Sequence, residues 1–287
     1  MEAVTTALSE ALDGAAPVAS ISRTLLNSMP DWQLFFGCVA LVLVAALLGL
    51  AATRRYLASL RTTADAGVVA AVTAIAMTLF AFVLAFGVVS LYDQFNTAEN
   101  SVSGEAGDMA QIVRDGMSFP AVTRDRVDTS VRNYILEVRD REFRLMRDGR
   151  EDARAEVLFD RLFTALQRYE PRTQSQVAFY GSAVQELNDA VTHRRERHAE
   201  MNAALPKAFL TLIILTAIVS IVTTFFVTTK SGALEVVLVA SVAIIVGAGL
   251  LTVFLLQYPF SGSVAVSSQP YVDGILGCVV LGLHCSS

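Results

Sequence analysis

The neighbouring histidines His193 and His198 lie in the charged run THRRERH and are the first residues to test for chemistry. They are five positions apart and do not share a helix face, so they lack the spacing of a metal-ligand pair. We therefore interpret the run as a solvated helix surface. The sequence contains no Ser/His/Asp arrangement, no glycine-rich phosphate loop and no paired-cysteine motif. It predicts no enzyme, no metal and no cofactor.

The three cysteines do not form a disulfide framework. Cys38 lies in an apolar run, where a free thiol behaves as a small apolar side chain. Cys278 and Cys285 lie near the C-terminus and could form a bridge only in an oxidising compartment, so two unpaired thiols are the simpler interpretation.

Four runs contain no Asp, Glu, Lys, Arg or His: residues 33–52, 66–92, 208–229 and 236–256. About 20 apolar residues in a helix cross the hydrocarbon core of a bilayer, and a helix satisfies its own backbone there. We predict an all-α integral membrane protein with four transmembrane helices and an extramembrane helical bundle between spans two and three. Its location is the plasma membrane.

Five segments follow from this pattern. They are an N-terminal interfacial segment (1–32), transmembrane hairpin one (33–92), a charged helical module (93–206), transmembrane hairpin two (207–256) and a C-terminal segment (257–287). In the first, residues 3–15 are predicted to form a helix on the membrane surface. The module holds 36 of the 49 formal charges, with both signs interspersed. Such mixing is typical of a solvated helical surface and argues against nucleic-acid binding.

Helical periodicity continues through the module. The second span is predicted to run as one helix to about Gly116, with Pro120 closing it. Three further apolar stripes follow: Val127, Val131, Tyr134, Ile135, Val138 and Leu145; Leu158, Leu162, Ala165, Leu166 and Tyr169; and Val177, Tyr180, Val184, Leu187, Val191 and Met201. The last has heptad spacing, interrupted by Arg194 and His198, and predicts coiled-coil packing. Gly104 and Gly107 are expected to allow close helix contact.

The apolar runs exclude some kinds of transport. Pumps and coupled carriers place ionisable residues inside the bilayer, whereas Glu235 lies only at the edge of the fourth run. A passive pore needs no such charge. Four residues of the second span share one face and could form a constriction that gates by dewetting: Ile75, Leu79, Phe82 and Phe86. The alternative is that they face lipid or pack against neighbouring helices.

Two further features concern contacts between helices. The third span carries a hydroxyl stripe that could line water or bind neighbouring helices: Thr216, Ser220, Thr223 and Thr224. Small residues four apart allow close approach within or between subunits: Ala45 with Gly49, Ala81 with Ala85, and Ala243 with Gly247. We expect a homo-oligomer in a lipid bilayer, with an ion as the permeant species if the protein conducts.

The orientation follows from Lys and Arg near the span ends. Arg54, Arg55 and Arg61 lie in the first short loop and Lys230 in the second, which places both loops in the cytoplasm and the module outside. The cations just before the third span (Arg194, Arg195, Arg197 and Lys207) argue for the opposite orientation.

Three sequence elements resemble the bacterial bestrophin-like membrane proteins over about residues 33–275. The first is LYDQFNTAENSVSGEAGDMAQIVRDG after the second span, and the second is LNDAVTHRRERHAEMNAALP before the third. The third element, QYPFSGSVAVSSQPYVD, matches the family pattern at Pro259, Phe260, Gly262 and Pro270. Gln257 stands where the family commonly has an acidic residue.

The family name implies an analogy to bestrophins, pentameric anion channels whose second span lines the pore. The sequence has no acidic cluster resembling their calcium clasp, and bestrophins keep the corresponding module in the cytoplasm. Two functions stay open. One is a passive ion channel, and the other is a non-enzymatic sensor or scaffold whose module binds a partner or the cell envelope.

Overall fold

The computed structural model describes residues 22–59, 65–228 and 231–282. Within these ranges the chain is helical and contains no strand, as the sequence predicts. Four of the described helices are long and apolar enough to cross a membrane. The all-α, four-span prediction is therefore confirmed, whereas the predictions for residues 3–15 and Cys285 lie outside the described residues.

Nine α-helices, two of them very short, are described in chain order. They are α1 (Asp31–Tyr56), α2 (Ala66–Gly116), α3 (Ala121–Glu137), α4 (Phe143–Arg147), α5 (Ala153–Gln167), α6 (Gln174–Met201), α7 (Lys207–Thr224), α8 (Gly232–Leu256) and α9 (Gly274–Leu281). A π-helical turn (Val138–Glu142) joins α3 to α4, and a 3-10 turn (Gln269–Val272) precedes α9. Residues 22–28 are helical before α1.

The chain divides into two compact units. The apolar unit comprises Leu25–Asp93 and Ala204–Gln257, and it contains α1, the first part of α2, α7 and α8. The charged unit comprises Met1–Thr24, Gln94–Ala203 and Tyr258–Ser287. Of the nine labelled helices, only α2 contributes to both units, and the helical residues 22–28 also cross the division, between Thr24 and Leu25.

Close packing in the apolar unit depends on small residues. Gly247 of α8 meets the backbone of Val39 in α1, since a Cβ added there would lie 3.3 Å from the Val39 Cα. Gly49 of α1 meets the ring of Phe225 just after α7. Two of the predicted small-residue pairs thus mark helix contacts within one chain, whereas Ala81 and Ala85 are exposed.

The third span is shorter than predicted. Helix α7 ends at Thr224 rather than at Thr229, because the next three backbone N–H groups bond to carbonyls three residues earlier. In the hydroxyl stripe, Ser220 is fully buried and donates a 3.0 Å hydrogen bond to the Ala76 carbonyl of α2. Thr216, Thr223 and Thr224 bond to carbonyls of their own helix. Within the stripe, Ser220 is therefore the residue whose hydroxyl joins α7 to a neighbouring helix.

The helices of the charged unit begin at residues that cap them. The Thr173 hydroxyl accepts from the Gln176 backbone N–H, and the Gln176 side chain accepts from the backbone N–H of Arg172. This arrangement is closely similar to a capping box. The Asp152 carboxylate caps α5 through Arg154. As predicted, α2 runs unbroken to Gly116.

The first predicted stripe of the module changes register at the π-helical turn. All its residues up to Val138 are buried, but Leu145 is only half-buried. Glu142, Phe143 and Met146 occupy the core instead. A π-turn adds one residue to a helical turn and so rotates every following side chain. The prediction for Leu145 assumed regular α geometry and was wrong.

The buried face of α6 was predicted only in part. Leu187 and Met201 are buried as predicted, but Val177 is 47% exposed, and the buried residues alternate steps of four and three: Ala183, Leu187, Ala190, Arg194, Arg197 and Met201. Two arginines therefore occupy core positions of a heptad pattern. A hydrophobicity pattern cannot find such a face, because charged residues are scored as solvent-exposed.

Candidate functional site

One face of the first part of α2 carries an unbroken apolar stripe. The predicted pore residues lie on it and are all exposed: Ile75 (68%), Leu79 (51%), Phe82 (61%) and Phe86 (56%). Val68, Val72 and Val89 extend the stripe, giving seven exposed residues that alternate steps of four and three. We call these seven residues the α2 seam.

The α2 seam matches a bilayer in length. From Val68 to Val89 it covers about 32 Å at 1.5 Å per residue, close to the ~30 Å hydrocarbon core. The opposite face of α2, including Phe80 and Leu91, is buried against α7 and α8. Heptad spacing is the pattern by which helices pack around one another. Because the described residues of one chain leave the seam uncovered, it is available to lipid or to further copies of the chain.

A second constellation, which the sequence did not predict, is a buried ionic cluster in the charged unit. Arg197 of α6 is fully buried, and its guanidinium lies 2.8 Å from a Glu105 carboxylate oxygen and 3.0 Å from one of Glu142. Both carboxylates are also fully buried. Glu105 comes from α2, and Glu142 is the last residue of the π-helical turn. We call Arg197, Glu105 and Glu142 the ionic cluster.

Polar neighbours surround the ionic cluster. Arg194 and His198 both reach Glu142, at 3.3 and 2.9 Å. Burial alone would raise the pKa of Glu142, but Arg197, His198 and Arg194 together lower it to about 2. Burial and the charge of Glu105 raise the pKa of Tyr134, whose hydroxyl donates to Glu105, well above 10. The Glu142 carboxylate is therefore held ionised, as a buried charge requires partners.

The run THRRERH is thus not the solvated surface that we predicted. Arg194 and Arg197 are buried, while Arg195 and Glu196 are exposed. The prediction failed because the matching carboxylates, Glu105 and Glu142, lie far away in sequence. The only local signal was the three-residue spacing of Arg194 and Arg197, which puts both on one helix face.

His193 pairs with Asp108. Its Nδ1 lies 2.8 Å from the Asp108 carboxylate, and its ring packs over Gly104, where an added Cβ would lie 2.7 Å from it. The expected close contact is confirmed at Gly104, but Gly107 has nothing within 4 Å. Burial would lower the pKa of His193, yet the Asp108 contact raises it. Among the described residues no three His, Cys, Asp or Glu side chains converge as a metal site.

The residues after the fourth span form a packed corner of the charged unit. Phe260 is buried with its ring 6.0 Å from that of Phe143, and Tyr271 contacts the same ring at the same distance. Pro259 is buried, and its carbonyl accepts from Val266 at 2.8 Å. Gly262 has φ +83°, a left-handed conformation that favours glycine. Pro270 lies half-buried in the 3-10 turn.

Glu235 lies at the start of α8 and forms an ion pair with Arg54 at the end of α1, 2.7 Å apart. The carboxylate is mostly buried and the guanidinium is partly exposed. The pair joins the start of α8 to the end of α1, and the interfacial position of Glu235 stays a prediction.

Comparison with known proteins concerns nearly the whole chain. The family model described as "Bestrophin-like domain" matches residues 40–271, which include the α2 seam, the ionic cluster and the corner around Phe260. No curated protein and no solved structure matches the chain. Together with the four apolar spans, the match shows a multi-pass membrane protein. The chain belongs to the bestrophin-like family.

Proposed function

We propose that the protein is a non-enzymatic, homo-oligomeric passive ion channel in which α2 lines the pore. The observation that carries the proposal is the α2 seam, which is long enough to cross the hydrocarbon core and has no cover within the described residues of one chain. Copies arranged around a common axis would bring their seams together. A closed ring of this kind requires no charge in the membrane.

The narrowest part of such a pore would lie at the two phenylalanines of the seam. The rings of Phe82 and Phe86 contact each other edge to face, with centroids 4.8 Å apart. A ring of phenyl groups repels water when narrow and conducts when widened. Gating by dewetting is therefore the mechanism that this surface supports, and an anion is the permeant ion that the family resemblance implies.

We further propose that the charged unit lies outside the bilayer, on the extracytoplasmic side. Of the four cations before the third span that argue for the opposite side, Arg194 and Arg197 are bound within the charged unit. The count that supports this side is the one made from the sequence, with Arg54, Arg55 and Arg61 in the first short loop and Lys230 in the second. The test is labelling of the native Cys285 in intact cells with a membrane-impermeant thiol reagent, with Cys38 and Cys278 replaced by serine. Labelling before lysis supports this side, and protection until lysis reverses it.

The channel proposal is tested with purified protein in planar bilayers. We expect the oligomer to conduct, and Phe82→Ala to change the conductance at least severalfold by widening the constriction. The matched control is Phe36→Ala in α1, since Phe36 is equally exposed (64%) but lies off the seam. No conductance from a defined oligomer, for anions or cations, would exclude a channel. Equal effects of the two substitutions would exclude α2 as its wall.

The second candidate function is a sensor or scaffold that acts through the charged unit. The ionic cluster favours it. Its three fully buried, ion-paired side chains come from separate segments, and burying such a network costs stability unless it serves to hold the segments in one arrangement. This function predicts a ligand or partner for the charged unit. An oligomer that is silent in bilayers and binds such a ligand would support it.

A further inference from the structure

An open cleft of about 750 Å³ lies beside the ionic cluster, between α5 and α6 of the charged unit. Phe159, Asp160 and Phe163 line it from α5, while Thr192 and Arg195 line it from α6. The volume falls within the range of about 300–1,000 Å³ that small-molecule sites occupy. A small ligand in the cleft would therefore contact an acidic and aromatic wall on α5 and a polar, basic wall on α6.

The two walls carry opposite charges, of which only some are paired: Arg194 of α6 and Glu156 of α5, which also line the cleft, form an ion pair at 2.6 Å, whereas Asp160 and Arg195 do not. Within the described chain, neither the Asp160 carboxylate nor the Arg195 guanidinium has a hydrogen bond or an ion pair, and both residues are exposed. Elsewhere in this unit Arg139 and Asp140, which are partly exposed and exposed, form an ion pair at 2.6 Å. An anionic group and a cationic group thus face one cleft, each without a partner.

The deeper part of the cleft is aromatic and aliphatic. Phe159 is 3% exposed, and its ring lies edge to face against the half-buried Phe163, with centroids 5.7 Å apart. Val191 lines the same cleft from α6. A hydrocarbon or aromatic group placed here would leave water and contact apolar surface. Charge recognition and an apolar surface therefore occur together.

We propose that this cleft binds a free α-amino acid with an aromatic or large aliphatic side chain. The ammonium group pairs with Asp160, the carboxylate pairs with Arg195, and the side chain packs against Phe159 and Phe163. A ligand with only one charge would leave one wall unpaired, whereas the zwitterion satisfies both. The site does not depend on whether the protein conducts ions.

Calorimetric titration of the purified full-length protein in detergent tests the ligand class. The probes are L-phenylalanine, L-tryptophan and L-leucine, and the comparison compounds are 3-phenylpropionate, which lacks the ammonium, and phenethylamine, which lacks the carboxylate. We expect at least one amino acid to bind, and each singly charged compound to bind about tenfold or more weakly, because each loses one charge-assisted pair. Binding of none of the three at millimolar concentration would overturn the proposal. So would equal affinity for 3-phenylpropionate or phenethylamine.

Substitutions locate the site. Asp160→Asn and Arg195→Gln should each weaken amino-acid binding about tenfold, while the neighbouring controls Arg161→Gln and Glu196→Gln leave it unchanged. All four positions are exposed, so melting temperatures should stay near that of the natural protein and show that the variants fold. Equal loss in the controls, or none in Asp160→Asn and Arg195→Gln, would place the ligand elsewhere and refute the site.

Discussion

Replacing Arg197 by methionine tests the ionic cluster most severely. Methionine keeps most of the length and apolar volume of the side chain but removes the charge that lies between Glu105 and Glu142. Arg194 and His198 still offset Glu142, so Glu105 becomes the uncompensated buried carboxylate. Breaking a buried ion pair by removing one partner costs about 3–5 kcal/mol.

The loss should be visible in thermal unfolding. For a unit of this size, 1 kcal/mol corresponds to about 2–4 °C, so Arg197→Met should lower the melting temperature by about 6–20 °C in scanning calorimetry. The matched control is Arg195→Met, two residues away and exposed, which should change the stability by less than about 0.5 kcal/mol. The double variant Arg197→Met with Glu105→Gln should recover part of the loss, because the glutamine is neutral.

The ionic cluster also determines how the stability of the fold depends on pH in acid. The pKa of Glu142 is about 2 in the folded protein, whereas its ordinary value is 4.5. This difference adds about 3 kcal/mol to the free energy of unfolding at neutral pH. A lowered pKa stabilises the fold at pH values above the pKa of the unfolded state, so this contribution is lost as pH falls from about 4.5 to about 2.

Two results would refute this account of the ionic cluster. One is an Arg197→Met variant as stable as the Arg195→Met control, and the other is a double variant that melts below Arg197→Met alone.

Three further predictions concern local contacts. Because its contact with Asp108 raises the pKa of His193, the pair stabilises the fold below about pH 6.5, and this contribution is lost as pH rises through the pKa of the folded state. His193→Gln should therefore flatten the fall in melting temperature between about pH 6 and 8. An unchanged slope would count against the pair. Gly107→Ala should stabilise α2 by about 0.5–1 kcal/mol. Gly104→Ala should gain less stability, because its Cβ meets the ring of His193. Equal gains in stability by calorimetry would be inconsistent with this packing. In the apolar unit, Gly49→Ala should lower the melting temperature, because the added Cβ would lie 2.6 Å from the ring of Phe225. Gly37→Ala should not lower it, since nothing lies within 4 Å of a Cβ there. The reverse order would contradict the helix contact.

The sequence predicted the elements whose apolar residues are contiguous or periodic. The four charge-free runs gave the spans, and the stripe from Leu158 to Tyr169 is buried throughout. Proline at position 120 and the absence of proline between residues 66 and 119 predicted the unbroken α2. These signals are local, and a single stretch of sequence contains all of the information they need.

The sequence could not predict features that depend on distant partners. Arg197 is buried only because Glu105 and Glu142 reach it from other segments, and Leu145 leaves the core only because the chain makes a π-turn. The α2 seam was found in part. Its four central residues were predicted, but Val68, Val72 and Val89 became evident only when the opposite face of the helix was seen to be covered.

Cysteine accessibility at the seam tests the pore most directly. In a chain with Cys38, Cys278 and Cys285 replaced by serine, Phe82→Cys should react with a charged, membrane-impermeant thiol reagent and the current should fall during recording, since a pore-lining thiol is reached through water. Phe36→Cys, on the exposed face of α1, should leave the current unchanged. A Phe82→Cys channel whose current the reagent does not alter would show that the α2 seam faces lipid and that the pore, if there is one, lies elsewhere.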